Sequence, residues 1–152
     1  MPASRFRRIA VALDGSASAD RAVDVAIDLA KTYAAELLVV AVAPLPAVFT
    51  TPNQPLAPPT IPENPLPRYR ELVESTVRRA KGAGVKNVRG ASPEGVVVDE
   101  VLAQVRAQRS DLLVVGSRGL STVQRLMLGS VSSALVTHAP CPVLVVRPSS
   151  PP

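Results

Sequence analysis

Short runs of apolar residues, rich in Val, Leu and Ile, recur along the chain, and no two neighbouring runs are close enough for a tight hairpin. They read RIAVAL at 8–13, LLVVAV at 37–42, DLLVV at 111–115 and PVLVVR at 142–147. Uninterrupted apolar runs of this length suit strands buried on both faces. Between the first two, Ala22, Val23, Ala26, Ile27, Ala30 and Tyr33 fall on one face at helical spacing, with Ser16 or Ser18 as the cap of a helix reaching about Ala35. Strand, helix, strand over such an interval implies a crossover, hence parallel pairing with right-handed connection. Aromatic residues make up only 3% of the chain, with no Trp, so the core must be Val, Leu, Ile and Ala.

Residues 44–67 break the rhythm. Nine of the 16 prolines sit there, too dense for a helix or a central strand, so a surface loop of polyproline II character is expected. A helix is expected over 68–81, with Leu72, Val73, Thr76, Val77 and Ala80 on its inner side and Gly82 and Gly84 ending it. A weak third strand follows at 85–89, near the sheet edge. Ser92, Pro93 and Glu94 read as a helix start, leading to an inner stripe of Val98, Val101, Leu102 and Val105. The fourth strand is 111–115, the last helix runs from Ser130 to about His138, and the fifth strand is 142–147. At 152 residues the chain suits one domain, spanning 1–152. The fold class is α/β: a doubly wound three-layer sandwich with a five-stranded parallel sheet. If strands one and four are neighbours, the order is 3-2-1-4-5, and a ligand site is expected beyond their carboxyl ends.

Those two ends carry the chemistry. Strand four runs into Gly116, Ser117, Arg118 and Gly119; a nine-residue spacer then leads to Gly129 and Ser130 at the start of the last helix. Glycines let a backbone approach an anion closely, and the N–H groups of Ser130, Val131 and Ser132 would point out of a helix start. The competing reading is two ordinary turns and a Ser cap. No GK[ST] occurs, so there is no P-loop lysine, and no GxGxxG follows strand one. Asp14, at the end of strand one, can accept hydrogen bonds from ribose hydroxyls, help hold a Mg²⁺ that bridges phosphates, or serve as the turn former beside Gly15. Arg118 can pair with a phosphate or remain a solvated loop cation.

Other classes are disfavoured. The net charge is +5, but the basic residues are scattered and no aromatics interleave with them for base stacking, so no nucleic-acid partner is expected. A single cysteine, Cys141, excludes an internal disulfide and a cysteine-based zinc site, and it reads as a small buried residue. His138 has no evident acid or nucleophile beside it. No stretch approaches the ~18 apolar residues of a membrane span, and MPASRFRR lacks the apolar core of a signal peptide; no membrane partner and a cytoplasmic location are expected.

The glycine spacing resembles the signature of the universal stress proteins, specifically their nucleotide-binding branch: G-x2-G-x9-G-[S/T], here Gly116, Gly119, Gly129 and Ser130. VALDGS at 11–16 is similar to that family's first strand and its ribose-contacting aspartate, and HAPCPVLVVRP at 138–148 to its last strand. The resemblance implies a five-stranded parallel sandwich in 3-2-1-4-5 order. It implies ATP as ligand, with adenine near Ala12, Leu13 and Val42 and ribose near Asp14 and Gly116. The phosphates would lie on Gly119, Gly129, Ser130 and Val131, with Arg118 nearby. It also implies a homodimer through the last strand, Val143, Leu144, Val145 and Val146. The expected function is a nucleotide-dependent regulator or sensor in stress response. The alternatives are a slow ATPase or autophosphorylating enzyme, using the hydroxyls of Ser121, Thr122, Ser130 and Ser132, and a dimeric interaction protein without nucleotide.

Overall fold

A computed structural model describes residues 6–45, 64–118 and 128–148. The main sheet has five strands, all parallel, in the order β4-β2-β1-β6-β7. Its strands are β1 (Arg8–Ala12), β2 (Glu36–Val40), β4 (Val88–Ala91), β6 (Leu112–Gly116) and β7 (Val143–Val146). Counting only these, the order is the expected 3-2-1-4-5. The chain starts in the middle of the sheet, winds outward to β4, and returns to lay β6 on the other side of β1. β1 is in register with both neighbours, Ala12 facing Val40 and Val115.

The side-chain alternation of the central strands fills two separate cores. Ile9, Val11, Leu37, Val39, Leu112 and Val114 face α1 (Ala17–Tyr33) and α2 (Leu66–Gly82). Ala10, Leu38, Val40, Leu113 and Val115 face α3 (Val97–Ala107) and α4 (Ser130–His138). The helix α1 buries the expected stripe, Ala22, Val23, Ala26, Ile27 and Ala30, and Ser16 caps it by accepting from the Ala19 N–H at 3.2 Å. Arg79 of α2 bonds both Asp20 and Asp24 of α1, fastening the two helices of that layer. The bond to Asp20, chiefly, holds the Arg79 guanidinium above its ordinary pKa.

Three expectations along the chain need correction. The second strand ends at Val40; residues Ala43–Pro44 form a separate strand, β3, paired in parallel with β5 (Glu94–Gly95). The helix expected from Ser92 therefore starts only at Val97. Its cap is Val96, with no side-chain bond, while Asp99 and Glu100 supply the acidic first turn. Pairing with β3 takes Glu94 out of the helix, and Gly95, at φ 151°, adopts a conformation no helix contains. The edge strand β4 also sits three residues later than 85–89 at its start, and Val85 packs instead under α2. Of the proline-rich loop expected over 44–67, residues 46–63 lie outside the described residues.

Candidate functional site

β1 and β6 lie side by side and end at the same edge of the sheet, and each runs into a turn. After β1, the Leu13 N–H donates to the Val40 carbonyl (2.9 Å), and half-buried Asp14 closes a local turn: its Oδ1 accepts from the Ser16 N–H at 2.9 Å. After β6, the backbone of Arg118 is fastened to the start of α1. The hydroxyls of Ser18 (2.9 Å) and Ser16 (3.3 Å) donate to its carbonyl, and its N–H donates to Ser18 Oγ (3.2 Å). Two turns a hundred residues apart in sequence thus form one cross-linked rim.

Gly116 makes this possible. A Cβ there would lie on top of Ser18 Oγ and 2.8 Å from the Ala19 nitrogen, so no other residue allows β6 to end this close to α1. The Gly116 carbonyl accepts a 2.6 Å bond from the buried Ser132 hydroxyl of α4. The Ser117 carbonyl accepts from the Gly129 N–H (2.8 Å), and the Ser117 N–H donates to Val146 of β7 (2.9 Å). These bonds hang the start of α4 beside the end of β6. The first bond inside that helix runs from the Ser133 N–H to the Gly129 carbonyl. The N–H groups of Ser130, Val131 and Ser132 therefore have no partner within the helix and form the positive end of its dipole.

Most of the expected site residues meet here, in different capacities. Asp14, Gly116, Arg118, Gly129, Ser130, Val131 and Ser132 gather around the ends of β1, β6 and the start of α4. Gly129 already gives its N–H to Ser117, and the Ser132 hydroxyl is bonded to Gly116, so both act as fasteners; the first-turn N–H groups have no partner inside the helix. Ala12 and Val42 share the core on the α3/α4 face, whereas Leu13 is buried on the α1/α2 face. Gly119, Ser121 and Thr122 lie outside the described residues. Among the described residues no cluster of three metal-ligating side chains occurs, and Asp14 stands as a lone carboxylate for a cation. One residue escaped the sequence reading: Arg68, at the start of α2, brings Nη2 to 3.8 Å from where a Gly15 Cβ would lie. It stands across the proline-rich stretch from the turn, and no local pattern marks it. Cys141 is half-buried, and burial, followed by the charge of Asp111, pushes its thiol pKa up.

Residues 5–147 match the model of the universal stress protein family. A universal stress protein of Thermus aquaticus is 37% identical, over 93% of this chain and 99% of its own length. A putative universal stress protein of Staphylococcus saprophyticus is 35% identical over 93% of this chain and 84% of its own. Among solved structures, a universal stress protein in complex with cAMP superposes with a TM-score of 0.70 at 29% identity, covering 96% of this chain and all of that one. With this sheet order, the rim at β1 and β6, and a match over nearly its whole length, the chain belongs to the universal stress protein family.

Proposed function

We propose that this chain is a single ATP-binding domain acting as a nucleotide-dependent regulator in stress response, in the cytoplasm. The observation that carries the reading is the rim itself: a helix start fixed beside the ends of two adjacent parallel strands, where doubly wound sheets take their ligands. The relative solved with cAMP supports an adenine nucleotide as the ligand class. In this reading the phosphates rest on the N–H groups of Ser130, Val131 and Ser132 and on Gly119, with Arg118 alongside. The ribose meets Asp14, and the adenine lies toward Ala12, Leu13 and Val42. A Mg²⁺, where present, would be held chiefly by the phosphates, with Asp14 as its protein ligand. The edge strand β7, with Leu144 38% exposed, supports a homodimer paired through Val143, Leu144, Val145 and Val146, since an uncovered apolar edge invites pairing.

The test is a melting curve against ATP, AMP and cAMP, on the wild type and on Gly129→Asp. Bound ATP at a hundredfold excess over its Kd stabilises the fold by about 2.7 kcal/mol. Gly129 has φ −60° and ψ 160°, a backbone conformation that any residue adopts and that suits an aspartate helix cap. The variant is expected to melt no lower than the wild type without ligand, and to lose the ATP shift by charge repulsion. An unchanged shift in Gly129→Asp, or a flat wild-type response up to millimolar ATP, overturns the assignment.

A further inference from the structure

The opposite edge of the sheet, where the strands begin, carries a second polar depression of about 300 Å³. Its walls are β1, β2, the start of β4 and the end of α3. Three arginines line it, Arg8, Arg89 and Arg109, against one carboxylate, Glu36. Glu36 is engaged by Arg8 at 3.6 Å. The other acid of this edge, Asp111, is occupied too, since its two oxygens accept from the backbone N–H groups of Arg7 and Arg8 (2.9 and 3.1 Å). Arg89 makes only a 3.3 Å bond to the Gln108 side chain, which leaves its other donors unassigned among the described residues. Among the described residues, the depression therefore holds an excess of positive charge, three arginines against one carboxylate.

A second observation comes from the same wall. Ser110 is 8% exposed, and its hydroxyl is the one buried side-chain polar atom among the described residues with no hydrogen-bond partner. Buried hydroxyls are rarely left so, because they forfeit their bond to water. The backbone holds Ser110 in place: its N–H donates to Val105 (3.0 Å), and the Arg109 N–H donates to Arg106 (3.1 Å). Arg109 itself sits at φ 52°, a left-handed conformation costly for arginine and more usual for glycine or asparagine at the end of a helix. That turn places Arg109 and Ser110 side by side in the lining of the depression.

We propose that this depression is a binding site for the phosphate group of a small solute. Guanidinium forks match phosphate oxygens in geometry as well as charge, and a χ1 rotation of Ser110, which lines the depression, would turn its unpaired hydroxyl to the same group. The volume lies at the lower end of small-molecule sites, which favours inorganic phosphate or a small phosphomonoester over a whole nucleotide. The site is independent of the nucleotide reading, since it lies at the other end of the strands and shares no residue with the rim.

The test follows backbone amide signals of the full-length protein during titration with inorganic phosphate and, separately, glycerol 3-phosphate. Saturable shifts at Arg109 and Ser110 are expected. Tighter binding of the ester identifies a phosphomonoester site, and equal affinities identify free phosphate as the ligand. Combining Arg89→Gln with Arg109→Asn should weaken binding about tenfold or more, through loss of two charge-assisted contacts, while asparagine keeps the left-handed turn. Ser110→Ala should weaken binding severalfold and leave the melting temperature without phosphate unchanged. Shifts confined to Ser130 and Val131, affinity unchanged in the double variant, or no saturation at millimolar phosphate would each overturn the proposal.

Discussion

At the edge where β1 and β6 end, the hydroxyls of Ser16, Ser18 and Ser132 are bonded to backbone carbonyls, and the backbone donors without a partner inside their own helix are the first-turn N–H groups of α4. At the edge where the same strands begin, the donors are three arginine side chains and one unpaired hydroxyl. The first edge is built by fold geometry and tolerates little change in shape. The second is built by side chains and tolerates changes of shape, but not of charge. Backbone donors cost no side-chain entropy when they meet a ligand, but they exist only while the strands, turns and helix keep their positions. Side-chain donors can be replaced one at a time without unfolding the protein.

The strongest way to break that contrast is Gly116→Val. The new side chain would overlap Ser18 and the start of α1, and we expect a loss of about 3 kcal/mol in urea denaturation, together with loss of any ATP-induced shift. The double replacement of Arg89 and Arg109 should change stability by less than about 0.5 kcal/mol, as both are exposed. A comparable loss for both would mean that the amino edge is also structural. Next comes a matched pair of buried serines. Ser132→Ala leaves the Gly116 carbonyl without its 2.6 Å donor and should cost about 2 kcal/mol, whereas Ser110→Ala removes an unpaired hydroxyl and should be neutral within about 0.5 kcal/mol. Equal costs would show that Ser110 has a structural partner.

Smaller still is Arg79→Ala in the α1/α2 layer. Its two ion pairs are partly exposed, so about 0.5–1 kcal/mol is expected, and less in high salt. Smallest is the effect of pH on Cys141. Its folded pKa is raised, so folding favours the protonated thiol. That contribution is complete below the ordinary thiol pKa and is lost as the pH rises through the raised one. Alkylation by iodoacetamide should accordingly be slower in the folded protein than in urea at mildly alkaline pH; equal rates would place the thiol in solvent.

The apolar runs and the helical stripe of α1 made the sheet legible, because strands buried on both faces have to be continuous apolar segments. The order of strands was legible only in part: crossovers of this length imply parallel pairing and right-handed connection, but 3-2-1-4-5 required strands one and four to be neighbours, which the family resemblance implied and the apolar runs alone did not. The start of α3 was not legible. Ser92, Pro93 and Glu94 satisfy every local rule for a helix start, yet Glu94 pairs with Ala43 across the fold. Local capping is worth about 1 kcal/mol, and a tertiary pairing can outweigh it.

The site divides in the same way. The sequence by itself determined that Gly116 closes the fourth strand and that Gly129 and Ser130 open the last helix, because glycine spacing and the onset of helical periodicity are local properties. Only the tertiary structure decided their tasks. Gly116 is there for the approach of α1, Gly129 gives its N–H to Ser117, and the N–H groups without a partner inside the helix belong to the first turn of α4. The arginine edge had no signal at all along the chain. Arg8, Arg89 and Arg109 come from three elements and share one depression only because parallel strands begin at a common edge, which is a consequence of the register of the sheet.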